Sequence, residues 1–92
     1  MPPPTQFAQF TLSVATLRYE DAGNGVATRK TIPLARIDCV EASSIATEVY
    51  PSRGKVVVHA GSVRLEASID GEGAGDAAAA FAERVLLAIA QR

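Results

Sequence analysis

The sequence predicts an α+β domain, an antiparallel β-sheet of about five to seven strands followed by one C-terminal α-helix. Three stretches carry that expectation. Asn24-Gly25 and Gly61-Ser62 are dipeptides that close two-residue hairpins, and each is flanked by residues that can pair. The third is "AAAAFAERVLLAIAQR", a run of strong helix formers with no internal glycine or proline.

The chain opens with "MPPPTQ". Proline has no backbone donor and favours an extended chain, so residues 1–6 are expected as a disordered proline-rich tail and residues 7–92 as a single domain. In "FTLSVATLRYE", Phe10, Leu12 and Val14 share one parity, whereas Leu17 and Tyr19 take the other. That change predicts a strand with a bulge or bend near Ala15 and Thr16. Asn24-Gly25 suits a type I′ turn, in which both central residues need positive φ. The register it imposes pairs Gly23 with Val26, Glu20 with Arg29 and Leu17 with Ile32, joining opposite charges and apolar groups.

"ARIDCVEAS" reads as a further strand, with Ile37 and Cys39 on one face and Val40 on the other. Pro33 just before it suits a strand end or an edge. Residues 43–53 are ambiguous: "ATEVY" fits a short strand, whereas Pro51, Ser52 and Gly54 are turn formers.

Gly61 is the residue that a type II′ turn wants at its first central position. Pairing outward from Gly61-Ser62 sets Ala60 against Val63, Val58 against Leu65 and Val56 against Ala67, with Ile69 extending the row. That face is the expected core. The opposite face receives His59 with Arg64, Val57 with Glu66 and Lys55 with Ser68, so His59 is expected on a solvated surface. In the helix, Ala78, Phe81, Ala82, Val85, Ala88 and Ile89 form an apolar stripe with Leu86 at its margin, while Glu83 and Arg84 face water. Asp76 is the expected N-cap, and Arg92 lies near the negative end of the helix dipole.

The 92 residues are 48% hydrophobic and 21% charged, within the range of ordinary globular domains. Nine basic against ten acidic side chains, a net charge of -1, argue against nucleic acid as a partner. Cys39 is the single cysteine, so neither an intrachain disulfide nor a cysteine metal cluster can form. No signal-peptide pattern is present, and no run approaches the roughly 18 apolar residues needed to span a bilayer. The expectation is a soluble, cytoplasmic protein with no repeat and no second domain.

In "RKTIPLARIDCVEA" an "IPL" segment leads into an "xxIxxV" pattern, carried by Ile32, Pro33, Leu34, Ile37 and Val40. On these residues, and on the order of strands before a single helix, most of residues 10–92 resembles a bacterial pleckstrin-homology-like (PH-like) domain. The resemblance implies a strongly bent β-sheet or partial barrel closed by the C-terminal helix. It also implies an adaptor, oligomerisation or membrane-associated module without catalytic machinery. The lipid-binding branch of that group uses several basic residues near its first hairpin loop. Here Arg29 and Lys30 stand there, countered by Glu20 and Asp21.

Candidate chemistry is sparse. His59 with Arg64 and Glu66 lacks the second positioned group and enclosed pocket that acid-base work needs. Cys39, flanked by Asp38 and Glu41, is expected to be a buried, inert thiol. "SRGKV" lacks the leading glycine and following Ser or Thr of a phosphate-binding loop. "GEGAGD" has Asp76 in place of a third glycine and is expected to be a flexible connection to the helix. Asp38, Glu41, Glu48, Asp70, Glu72 and Asp76 show no metal-ligand spacing. No catalytic, cofactor-binding or metal-binding residue is assigned.

The leading expectation is a non-catalytic interaction module that binds a protein partner or itself. Arg53, Lys55, Val57, His59 and Arg64 form its candidate contact surface. The alternative is a small-ligand or anionic-lipid binder drawing on Arg29, Lys30, Arg53 and Lys55, with membrane contact disfavoured by the balanced charge.

Overall fold

The computed structural model describes residues 5–23, 25–45 and 53–91. Pairs of short apolar segments at the N-terminus make the first difference from the sequence-based expectation. Gln6–Phe7 (β1) and Phe10–Leu12 (β2) form a hairpin around Ala8, whose φ of 50° is the left-handed geometry of a tight turn. Gln6 therefore belongs to the sheet and not to a tail. The parity change after Val14 marks a full reversal and not a bulge: β2 turns back into Thr16–Gly23 (β3), setting Phe10 against Tyr19 and Leu12 against Leu17. The Ser13 N–H donates to the Thr16 carbonyl at 2.8 Å, which closes the turn and leaves Val14 at its tip, 95% exposed.

β3 continues into Val26–Pro33 (β4) with Gly23 against Val26, Glu20 against Arg29 and Leu17 against Ile32, the expected register. Gly25 has φ 77°; Asn24, the other turn residue, lies outside the described residues. β1 to β4 form one four-stranded antiparallel sheet.

A 3-10 turn, Leu34–Arg36 (α1), leads into the second sheet. Its first N–H is anchored on the Ala15 carbonyl at 3.0 Å, and Leu34 is fully buried. Because the strand begins only after this turn, at Cys39–Ile45 (β5), Ile37 does not share its alternation. Val40 packs against the core and Cys39 points outward, exposed. The expectation of a buried thiol is thus overturned by where the strand starts. The ambiguous stretch resolves only in part: β5 extends to Ile45, and residues 46–52, including all of "ATEVY", lie outside the described residues.

Arg53–Ala60 (β6) and Val63–Asp70 (β7) complete a three-stranded antiparallel sheet in the order β5-β6-β7. Their register from Ala60 against Val63 to Lys55 against Ser68 is the expected one. Gly61 has φ 61° and Ser62 does not have positive φ, the combination of a type II′ turn. Asp38 braces this turn by accepting the Gly61 N–H at 2.6 Å.

The C-terminal helix, Ala74–Ala90 (α2), starts before the expected position. Gly73 is its N-cap residue, so Asp76 lies inside the first turn, where its charge still favours the helix N-terminus. Ala78, Phe81, Ala82 and Val85 are buried, with Ala88 and Ile89 packed beside them. Arg92 lies outside the described residues. The helix lies mainly across β5 and β6. Two glycines permit that approach: a Cβ on Gly54 would overlap the Ala74 carbonyl, and one on Gly75 would overlap the Ser44 side chain. "GEGAGD" is therefore a fitted junction as well as a connection.

Phe81 joins the layers, with its ring 5.8 Å from Phe7 and 6.1 Å from Phe10, which in turn meets Tyr19 edge-on at 5.4 Å. Around them pack Leu17, Leu34, Val56, Val58 and Val85 in one core. The architecture is α+β, with two antiparallel sheets of four and three strands, one C-terminal helix and no closed barrel among the described residues.

Candidate functional site

Alternation along β6 sends Arg53, Lys55, Val57 and His59 to the face opposite the helix, and β7 adds Arg64, Glu66, Ser68 and Asp70 there. β5 contributes Cys39, Glu41, Ser43 and Ile45 through its pairing with β6. All five candidate contact residues thus share one three-stranded face.

Their charges are spent on one another. Arg53 Nε donates to Asp70 Oδ1 at 2.7 Å, and its Nη2 lies 3.4 Å from Oδ2. Glu66 bridges two cations, 2.9 Å from Lys55 Nζ and 2.9 Å from Arg64 Nη1. His59 Nε2 lies 3.5 Å from Glu41 Oε2. Each pair spans neighbouring strands or adjacent positions of the face, so the face carries both signs in alternation and little net field. The Lys55 hydrogen bond holds the Glu66 carboxyl below its usual range, and the Arg53 hydrogen bond does the same for Asp70.

Val57 is the correction within this set. Its face is as expected, but it is 4% exposed. Glu41 and Glu66 are its direct cross-strand partners, and each is drawn diagonally to a nitrogen above or below, His59 Nε2 or Lys55 Nζ. Val57 thus lies on the central strand between two long side chains held by partners, a collar in which aliphatic stems are expected to shield the valine from water. Val57 is buried and offers no contact area of its own. The apolar group that this face does expose is Ile45, 45% exposed at the end of β5.

The sequence did not assign Glu41, Ile45 or Asp70 to the surface. Glu66 and Asp70 follow from the Gly61-Ser62 register once it is extended to the strand ends. Glu41 and Ile45 have no such signal, because β5 is joined to β6 by a long connection and not by a two-residue turn.

Arg29 and Lys30 are adjacent in β4 and therefore point to opposite faces of the β3–β4 hairpin. Arg29 Nε is 3.6 Å from Glu20 Oε1, which Arg18 also approaches at 3.4 Å, while Lys30 stands opposite Tyr19. The two cations do not converge on one anion. Burial holds the Tyr19 phenol above its usual range, with the charges of Asp21 and Glu66 adding to it.

Three open grooves lie elsewhere. One of about 630 Å³ runs between the β2–β3 turn and the helix, past Ser13, Val14, Arg84 and Ala88. The second, about 480 Å³, lies beside Arg36, Asp38 and the Gly61 turn, and the third, about 370 Å³, lies over Leu86 and Leu87. His59 lines none of these three. Arg84, expected in water, is half-buried, and its Nε is enclosed without a hydrogen-bond partner. Among the described residues no group of three or more His, Cys, Asp or Glu is placed to hold a metal ion, and no helix is long and apolar enough to cross a membrane.

In comparisons with known proteins, no family model, no curated protein and no solved structure matches the chain.

Proposed function

We propose that this chain is a non-catalytic interaction module that acts by protein–protein contact, with self-association as its principal form. The observation that carries the reading is β5, an edge strand of seven residues that is exposed along most of its length and carries no lysine, arginine or proline. Proteins that stay monomeric usually block such an edge with those residues, as β4 does here with Arg29, Lys30 and Pro33. An unblocked edge is a template for another strand.

The ion-paired outer face supports the same reading. Its acids and bases neutralise one another in the open, an arrangement suited to a polar contact rim and not to concentrating charge on a bound anion. The four-plus-three strand order with a helix at the end supports a PH-like fold, whose members the resemblance gives as adaptor and oligomerisation modules. A single exposed thiol fits a reducing compartment, and we place the protein in the cytoplasm.

Light scattering across a concentration series tests the reading. A mass rising above the 9.6 kDa of one chain is the expected result. A strict monomer at high micromolar concentration, together with no protein bound, counts against it.

A further inference from the structure

We infer that two copies of this chain join through β5, paired antiparallel about Ala42, so that three strands from each copy form one continuous sheet. The inference rests on the interaction reading above and names its partner and register.

The first ground is the phase of the backbone hydrogen bonds. Ala60 and Val63 flank a two-residue loop and so exchange both of their N–H···O bonds. Alternation then turns the backbone groups of Val58 and Val56 toward β7, and those of His59, Val57, Lys55 and Arg53 toward β5. Their partners Cys39, Glu41, Ser43 and Ile45 are thereby committed to β6. Among the described residues no strand pairs with that edge of β5, and the backbone groups of Val40, Ala42 and Ser44 are left directed out of it.

The second ground is that the strand complements itself. Pairing about Ala42 overlaps all of Cys39–Ile45 with its counterpart. The free backbone groups of Val40, Ala42 and Ser44 then meet those of Ser44, Ala42 and Val40 of the second copy. On the outer face, exposed Ile45 covers exposed Cys39 of the second copy, and Glu41 lies opposite Ser43. No like charges face each other. Moving the centre to Glu41 would set two carboxylates opposite one another, and β4 paired with itself about its middle would oppose Arg29 to Lys30.

The third ground is room on the helix side. Gly75 faces Ser44 of β5. At about 100° per residue, Ala79 continues the same flank of α2, so near the dyad that flank carries only small side chains. Small side chains there favour close approach of the second copy's helix.

Disulfide trapping tests the register. Cys39 faces Ile45 of the second copy and lies far from the other Cys39, so Ile45→Cys should give a disulfide-linked dimer under mild oxidation. The native chain and the Ile45→Cys/Cys39→Ser variant should not. Ala42→Pro removes the N–H at the dyad, which the proposed monomer directs to solvent. It should raise the dimer dissociation constant on the order of tenfold or more while the circular dichroism spectrum is kept. If Ala42→Pro fails to fold, the trapping result decides alone. A dimer that resists Ala42→Pro and is not trapped by Ile45→Cys overturns the β5 pairing and leaves self-association standing. A monomer at every concentration overturns both.

Discussion

Glu66 stands opposite Val57 across β6 and β7, and its two carboxylate oxygens each lie 2.9 Å from a cation, Lys55 on one side and Arg64 on the other. The pair explains how a valine on the outward row of a sheet comes to be 4% exposed. A charged group held in place by two partners brings its aliphatic stem over an apolar neighbour, which a freely mobile one would not do.

Truncating Val57 should therefore behave as a core change. Val57→Ala is expected to destabilise the fold by about 1–3 kcal/mol, whereas Val14→Ala, at a site 95% exposed, should stay within about 0.5 kcal/mol. Urea unfolding of both variants measures the contrast, and equal effects would refute the collar.

The helix seats on glycine. Gly54→Ala forces a methyl group into the Ala74 carbonyl, and neither backbone can retreat without separating helix from sheet. A loss of about 1–3 kcal/mol, or failure to fold, is expected. Gly23→Ala meets open space and is the control, expected to change the thermal midpoint little. Thermal melts followed by circular dichroism read both.

Acid should weaken the fold through the outer face. The folded-state pKa values of Glu66 and Asp70 are depressed, by the Lys55 and Arg53 hydrogen bonds first. The unfolded chain thus takes up these protons at higher pH than the folded one. The associated stability is present above the ordinary carboxylate pKa of about 4 and is lost as pH falls through the lower folded values. The midpoint temperature should drop across that window, and Glu66→Gln/Asp70→Asn should flatten the slope there. An unchanged slope in the double variant would show that these pairs do not contribute.

Arg84 should tolerate loss of its charge. Its Nε is enclosed with no acceptor, while its stem lines the groove beside Leu12 and Ala88. Arg84→Met keeps the stem's volume and removes the unmet donor, so stability should hold or rise. A marked fall in the denaturation midpoint would mean that the guanidinium has a stabilising partner in solution.

Much of this architecture is written locally. Gly61-Ser62 fixed every pair from Ala60–Val63 to Lys55–Ser68, because a two-residue turn leaves one register and a period of two then assigns each face. The Glu20–Arg29 and Leu17–Ile32 pairs followed from Asn24-Gly25 in the same way. The stripe from Ala78 to Ile89 needed only helical periodicity.

What local rules could not supply is where alternation is interrupted. The reversal at Ser13–Ala15 and the turn at Leu34–Arg36 are held by contacts distant in sequence, including the Leu34 N–H on the Ala15 carbonyl at 3.0 Å. Each restarts the parity of the strand that follows, which is why Cys39 faces out and Val40 faces in. Val57 was put on its face by its position in the chain, but it is buried only in the assembled sheet, where Glu41 and Glu66 flank it from two other strands. Side-chain direction within a hairpin is a property of adjacent residues, whereas exposure depends on which neighbours the whole fold assembles around it.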